Sequence, residues 1–287
     1  MKRLYLYIFG LIPFVFLWAS TSIKDPQLSK ILNKNYSGIK LDSITELIAD
    51  NAIIENLYGC ESMKNLQTVS FSNNRIHSVQ PLAHLQKLKN VNLSHNQIKV
   101  ASIFIQLPEL ETLDLSYNQI TQCFFCTFSR LISLDISHNQ IQQIHGSGNN
   151  HNNYLTYIDA SCNPLNSWTN SFNAPYLKSL ILNETSIQNL ANIVKQHPQL
   201  EILSVENCPY LKNIQALFKE TPKGIVCNIE SLRTLNISEN YLTDATSQKL
   251  LKEIRAGNLL TPITLNGSYI APKPSNNNIV KINTTIR

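Results

Sequence analysis

Three aspartates, Asp114, Asp135 and Asp159, recur at intervals of 21 and 24 residues. Brought onto one surface, they would suit a cation site or acid–base work. His95 and His138 lie 43 residues apart, with Tyr117 between them. Imidazole is the commonest side-chain metal ligand. Cys123 and Cys126 form a CxxC pair, the arrangement of a reactive dithiol. Which of these chemistries is available depends on the elements that hold the side chains.

Those elements come from a repeat. LKNVNLSHNQI begins at 88, LETLDLSYNQI at 110 and LISLDISHNQI at 131. Weaker copies of the same eleven-residue template begin at 66, 155, 177, 200 and 232, and degenerate ones at 44 and 260. Successive starts lie 22, 22, 22, 21, 24, 22, 23, 32 and 28 residues apart. Around positions three to seven, apolar and polar residues alternate, the pattern of a short half-buried strand. In the copy at 110, Leu113 and Leu115 are expected to face inward, and Thr112, Asp114 and Ser116 outward. Asn118 marks the turn, in a row with Asn74, Asn96, Asn139, Asn163 and Asn240; Thr185 and Cys208 stand in the same row. Stacked amides there can satisfy backbone groups that a buried turn would strand. Each copy buries its apolar edge only against its neighbours, so the whole is a solenoid with covered ends. Ten parallel strands give a sheet on the order of 45 Å long.

On this frame the reactive readings weaken. The aspartates share position five of their copies, and solvated outward carboxylates are ordinary there. His95 and His138 fall two copies apart, roughly 10 Å, too far to share one ion unaided. Cys123–Cys126 has no second pair for zinc and no βαβ context for redox work. With Cys60, Cys162, Cys208 and Cys227 it makes six cysteines, read as small buried hydrophobes with one or two bridges allowed, Cys227 to Cys208 among them. No nucleophile–base–acid set and no phosphate-binding glycine loop is visible. The expectation is no enzyme, no cofactor and no metal.

Composition limits the partners. Hydrophobic residues are 43% and charged ones 15% of the 287 residues, and net charge is +5. Removing Lys2 and Arg3 takes it to +3, too mild for a nucleic-acid surface. Those two cations precede an uncharged apolar run, Leu4 to Trp18, and small residues at 19–22. This is the pattern of a signal peptide; the alternative is an uncleaved membrane anchor through residues 4–19. The chain is therefore read as secreted or extracytoplasmic, or else membrane-anchored. Residues 23–43 form an N-terminal cap whose helix spans 26–34, started by Asp25-Pro26. Residues 44–270 are the repeats, and 271–287 a loose tail. The long ninth copy predicts a helix begun by Thr243 or Asp244 and ended by Gly257. Residues 219–230 are an insertion, and 145–153 a mobile loop. Sequons such as Asn92-Leu93-Ser94 arise from the repeat template itself and carry no message.

The stretch from Ile44 to Ile98 resembles the opening repeats of internalin-type leucine-rich-repeat proteins, and is also similar to the 22-residue class of phosphatase regulators. Ile76, Val79, Leu82 and Leu85 match the return path of that class, while the copy at 232 resembles the ribonuclease-inhibitor type. The resemblance implies an α/β fold: a leucine-rich-repeat solenoid with a curved parallel sheet on its concave side and irregular or short helical returns on its convex side. It also implies recognition of a protein partner through that concave face. No nucleic-acid role follows; a membrane contact would run through the N-terminal apolar segment. The residues placed on the face are His95, Tyr117, His138, Tyr157, Asp159, Ile181, Glu184 and Ile202. The alternative function is a scaffolding component of an envelope, held by an uncleaved N-terminal helix.

Overall fold

The computed structural model describes residues 23–124, 129–145, 154–169, 172 and 174–271. The apolar N-terminus (1–22), Cys126 of the CxxC pair, residues 146–153 of the expected loop and residues 272–287 of the expected tail lie outside them.

The chain opens with helix α1, Pro26–Asn35. Asp25 caps it, its Oδ1 accepting the N–H groups of Gln27 (2.9 Å) and Leu28 (3.1 Å), and Pro26 loses nothing at a position whose N–H has no helical partner. The other oxygen of Asp25 accepts from Glu55 N–H at 2.8 Å, tying the cap to the first repeat. The strands are β1 Glu46–Ile48, β2 Thr68–Ser70, β3 Asn90–Asn92, β4 Thr112–Asp114, β5 Cys123–Phe124, β6 Ser133–Asp135, β7 Ile144–His145 and β8 Tyr157–Asp159. There follow β9 Ser179–Ile181, β10 Ile202–Ser204, β11 Phe218–Thr221, β12 Gly224–Cys227, β13 Thr234–Asn236, β14 Ile263–Leu265 and β15 Ser268–Ile270. Two further helices, α2 Ala191–Gln196 and α3 Ala245–Arg255, lie on the returns. Asp244, not Thr243, caps α3, its Oδ2 accepting from Ser247 N–H at 2.7 Å.

One sheet runs the length of the molecule in the order β1-β2-β3-β4-β6-β8-β9-β10-β13-β14-β15. From β1 to β14 every neighbour is parallel, one strand per repeat, in a register that aligns equal template positions: Val69 pairs with Val91, Leu113 with Leu134, Ile158 with Leu180. The inward residues of these strands, and the return-path residues Ile76, Val79, Leu82 and Leu85, are buried in one continuous core. Each fully buried aliphatic side chain contributes about 1.5–3 kcal/mol of transfer free energy, and only stacking of copies makes that burial available.

Three expectations are corrected. The tenth copy does not begin at 260. Thr264 pairs with Thr234, a position-three residue, so the register starts two residues later. Pro262 lacks the N–H a strand rung needs, and Asn266-Gly267, with φ of 47° and 78°, then turns the chain into the antiparallel strand β15. Paired positive φ values at Asn-Gly make a two-residue hairpin whose twist matches its strands. Second, Cys208 and Cys227 are free thiols, as are Cys60 and Cys162. Cys227 ends the hairpin β11–β12 formed by the insertion, whereas Cys208 belongs to the turn row. Third, Ser116 is buried rather than outward, for a reason given next.

Candidate functional site

The asparagine row is the device that spaces the copies. Asn118 Nδ2 donates to the carbonyls of Leu93 (2.9 Å) and Leu115 (3.0 Å), and its Oδ1 accepts from Ile98 N–H at 2.9 Å. Asn74, Asn96, Asn139 and Asn163 repeat the pattern. Thr185 and Cys208 substitute partially: Thr185 Oγ1 donates to Leu182 O at 2.8 Å, and Cys208 Sγ reaches the same oxygen at 3.2 Å.

Position eight is the second device. Asn73, His95, Tyr117, His138, Cys162, Glu184, Asn207 and Glu239 all have φ between 49° and 57°. Such left-handed backbone is costly for residues with a Cβ. It is held here because the N–H groups from Asn73 to Asn207 in this row still bond the next copy, as Tyr117 N–H does to Ser137 O at 3.0 Å. This turn sets the position-eight side chains apart from the strand faces and in register with one another. His95, Tyr117 and His138 form a continuous ring stack, with centroids 4.1 and 3.9 Å apart and planes 11° from parallel in each pair.

The predicted face residues therefore occupy two rows. His95, Tyr117, His138 and Glu184 belong to the turn row. Tyr157, Asp159, Ile181 and Ile202 stand on the open face of the sheet, at strand positions three and five. Outward residues of the nine parallel strands of the long sheet from β1 to β13 are exposed or half-exposed, save Ser204, whose hydroxyl donates to Asn183 Oδ1 at 2.7 Å. Thr68, Asn90, Thr112, Ser133, Asp135 and Tyr157 help line a shallow open trough on this face.

Asp114 also lines it, and on this face the three aspartates are direct neighbours, Asp114 opposite Asp135 and Asp135 opposite Asp159. Each turns one oxygen to local work, accepting the N–H of Ser116, Ser137 or Ser161 at 2.9 Å. Ser116 and Ser137 also donate their hydroxyls to the same carboxylates at 2.7 Å, which turns these two serines inward. Burial, reinforced by Asp159 and Asp114, holds the Asp135 carboxyl above its usual range despite the Ser137 hydrogen bonds. Burial and the same three carboxylates likewise raise Tyr157. Asn92 fills this position one copy earlier than Asp114 and accepts the Ser94 N–H and hydroxyl in the same way, at 3.0 and 2.8 Å. Asp135→Asn therefore keeps the turn and removes the repulsion. It is expected to stabilise the protein by about 0.5 kcal/mol at neutral pH, the scale of a cross-strand charge pair. A raised carboxyl favours folding while protonated, so the gain should vanish below the carboxylate range. Urea denaturation at neutral and acid pH measures both.

Sequence reasoning missed Ile132, Tyr154 and Tyr176, exposed by 42%, 58% and 49% at the entrance to β6, β8 and β9. Tyr154 and Tyr176 precede the first template leucine, where neighbouring copies carry the polar rungs Lys87 to Asn65 (2.6 Å) and Arg130 to Glu109 (2.6 Å). Two tyrosines in that polar column were the available signal.

Among the described residues, no thiol has its pKa lowered. Burial raises the thiols of Cys60, Cys162, Cys208 and Cys227, Cys60 to about 12, which keeps them protonated. Among the described residues, no group of three or more His, Cys, Asp or Glu is arranged to hold a metal ion. Nor is any helix among them long and apolar enough to cross a membrane.

Residues 64–120 match the leucine rich repeat family. The fold is a leucine-rich-repeat solenoid. Among solved structures it is similar to internalin C2 of Listeria monocytogenes, at TM-score 0.56 and 22% identity over 86% of this chain and 95% of that one. It is similar also to the leucine-rich repeat domain of APL1B, at 0.54 and 22% over 69% of this chain, and to the LRIM1/APL1C complex, at 0.52 and 17% over 75%. The chain spans 55% and 47% of the length of those last two. No curated protein matches the sequence. At such identities the likeness is one of fold.

Proposed function

We propose that this protein is a non-catalytic, exported binding module that docks another protein on the concave face of its sheet. The observation that carries the reading is the open wall from β4 to β10, where Tyr157, Ile181 and Ile202 stand outward on adjacent strands. Aromatic and aliphatic side chains kept toward water, on a surface built from rigid strands, are what a protein interface uses as anchors. The similarity in fold to a chain solved within the LRIM1/APL1C complex supports it. Export is supported by Lys2-Arg3 and the apolar run after them.

The test is proximity labelling by the full chain in its own cells, comparing wild type with Tyr157→Ala/Ile202→Ala. A set of labelled proteins lost in the double variant is the expected result. Identical labelling by both would remove the face from consideration. Sequencing the N-terminus of the mature protein checks export, with cleavage near 19–22 expected.

A further inference from the structure

The chain as a whole is basic, with 24 Lys and Arg against 19 Asp and Glu. Its open sheet face is not. The outward residues of the ten parallel strands, from Glu46 to Thr264, include no Lys, Arg or His and four carboxylates. Three of these are contiguous, in Asp114, Asp135 and Asp159. None of the three takes part in the described ion pairs, which join Arg75 to Glu55, Arg130 to Glu109, Lys178 to Glu201 and Lys249 to Glu220. Basic residues are thus plentiful on the molecule and absent from the one row that would benefit from them. Beyond the row the face changes character within a single strand spacing. Asp159 is opposite Ile181, and Ile202 is opposite Ser179, whose other neighbour is Tyr157. The exposed rings of Tyr154 and Tyr176 flank this apolar end.

We propose that the face from β4 to β10 receives a protein segment carrying Lys or Arg side chains followed by aliphatic ones. The cations lie over Asp114, Asp135 and Asp159, and the aliphatic side chains over Ile181 and Ile202. This rests on the docking reading above and adds the chemistry of the partner. The dimensions fit: two strand spacings cover roughly 10 Å, which three residues of an extended chain laid across the strands also cover. Two cations within such a stretch reach all three carboxylates. The local hydrogen bonds occupy one oxygen of each carboxylate and leave the other for the partner. Charge complementarity of this kind sets the register and the rate of association, while the apolar end supplies contact area.

The experiment titrates the full chain against labelled peptides by fluorescence anisotropy. One peptide joins a lysine-rich half to a Val/Ile half, a second replaces Lys by Glu, and a third contains only the lysine-rich half. The mixed peptide is expected to bind saturably and the Glu peptide not at all, with salt weakening the complex. Asp114→Asn/Asp135→Asn/Asp159→Asn should weaken binding about tenfold or more, and Ile181→Ser/Ile202→Ser by a similar factor. Asn92 already fills the same position, so the triple variant keeps its turns; thermal unfolding at or slightly above the wild-type temperature confirms it. Unaltered binding by the triple variant, or a lysine-only peptide binding as tightly as the mixed one, overturns the proposal. So does loss of peptide binding on adding calcium, which would assign the carboxylates to a metal. If proximity labelling depends on Tyr157 and Ile202 but survives the triple substitution, the docking face stands and the basic partner falls.

Discussion

Asn118→Ala is expected to destabilise the protein by about 2–4 kcal/mol, among the largest effects of any single polar substitution in the chain. Its amide bridges two copies. Removal strands the buried Ile98 N–H, which has no other acceptor, and an unsatisfied buried group of this kind costs about 1–3 kcal/mol. The carbonyls fare better. Leu93 O keeps a bond from Asn96 Nδ2 at 3.1 Å, and Leu115 O one from Asn139 Nδ2 at 2.9 Å, so each loses one donor of two. The small cavity adds the remainder. Thr185 holds the same position with a single strong bond to Leu182 O. Thr185→Ala should therefore cost only about 1 kcal/mol, the net worth of one ordinary hydrogen bond. Urea denaturation of the two variants supplies the comparison, and hydrogen exchange at Ile98 should accelerate only in the first. Equal losses from the two substitutions would show that spacing in this row is set by apolar packing and not by the amide.

That row could be read from the sequence because a repeat imposes the same geometry on every copy. Asn at position nine recurs where a buried turn needs one side chain that both donates and accepts. The inward leucines and the α1 cap were legible for the same kind of reason, since period and capping are local properties. What failed was positional detail inside a correct template. At the tenth copy the alternation continued, yet Pro262 and Asn266-Gly267 carried a stronger local instruction, and the hairpin won. Ser116 read as outward by alternation, but the strand ends at Asp114, and an Asp two residues before a Ser draws it inward as a turn. The ring stack of His95, Tyr117 and His138 was not foreseeable from residue preference. None of these types favours left-handed backbone enough to announce it; the neighbouring copies enforce it through the hydrogen bonds of the ladder. Likewise Tyr154 and Tyr176 fall outside the template, so a search confined to the template passed over them. The acidic row was visible as a spacing, but its local hydrogen bonds with the serines were not.

A buried histidine that the repeat pattern gave no reason to notice carries the last expected result. The protein should lose stability as pH falls from about 6.5 to about 4, and much of that loss should disappear in His197→Gln. His197 is fully inaccessible, edge-on to Trp168 and beside Phe172. Its Nε2 accepts from Trp168 Nε1 at 2.8 Å, which leaves Nδ1 to carry the proton and donate to Ala174 O at 3.0 Å. The ring thus links the sixth and seventh copies with the end of α2, and it does so only when neutral. Burial lowers its pKa to about 4, against the modest opposing pull of the Ala174 carbonyl. In the unfolded chain the group titrates near the ordinary 6.5. Folding is therefore favoured in full above that value. Between 6.5 and 4 the unfolded chain takes up a proton that the folded one refuses, and stability falls with pH. Below 4 both states are protonated and the dependence ends. The gap corresponds to a loss on the order of 3 kcal/mol. Glutamine can accept from Trp168 and donate to Ala174 without titrating, so the variant should be less stable than wild type at neutral pH and draw level or overtake it near pH 4. Parallel stability curves for the two proteins across this range would mean that the imidazole is not the group that refuses the proton.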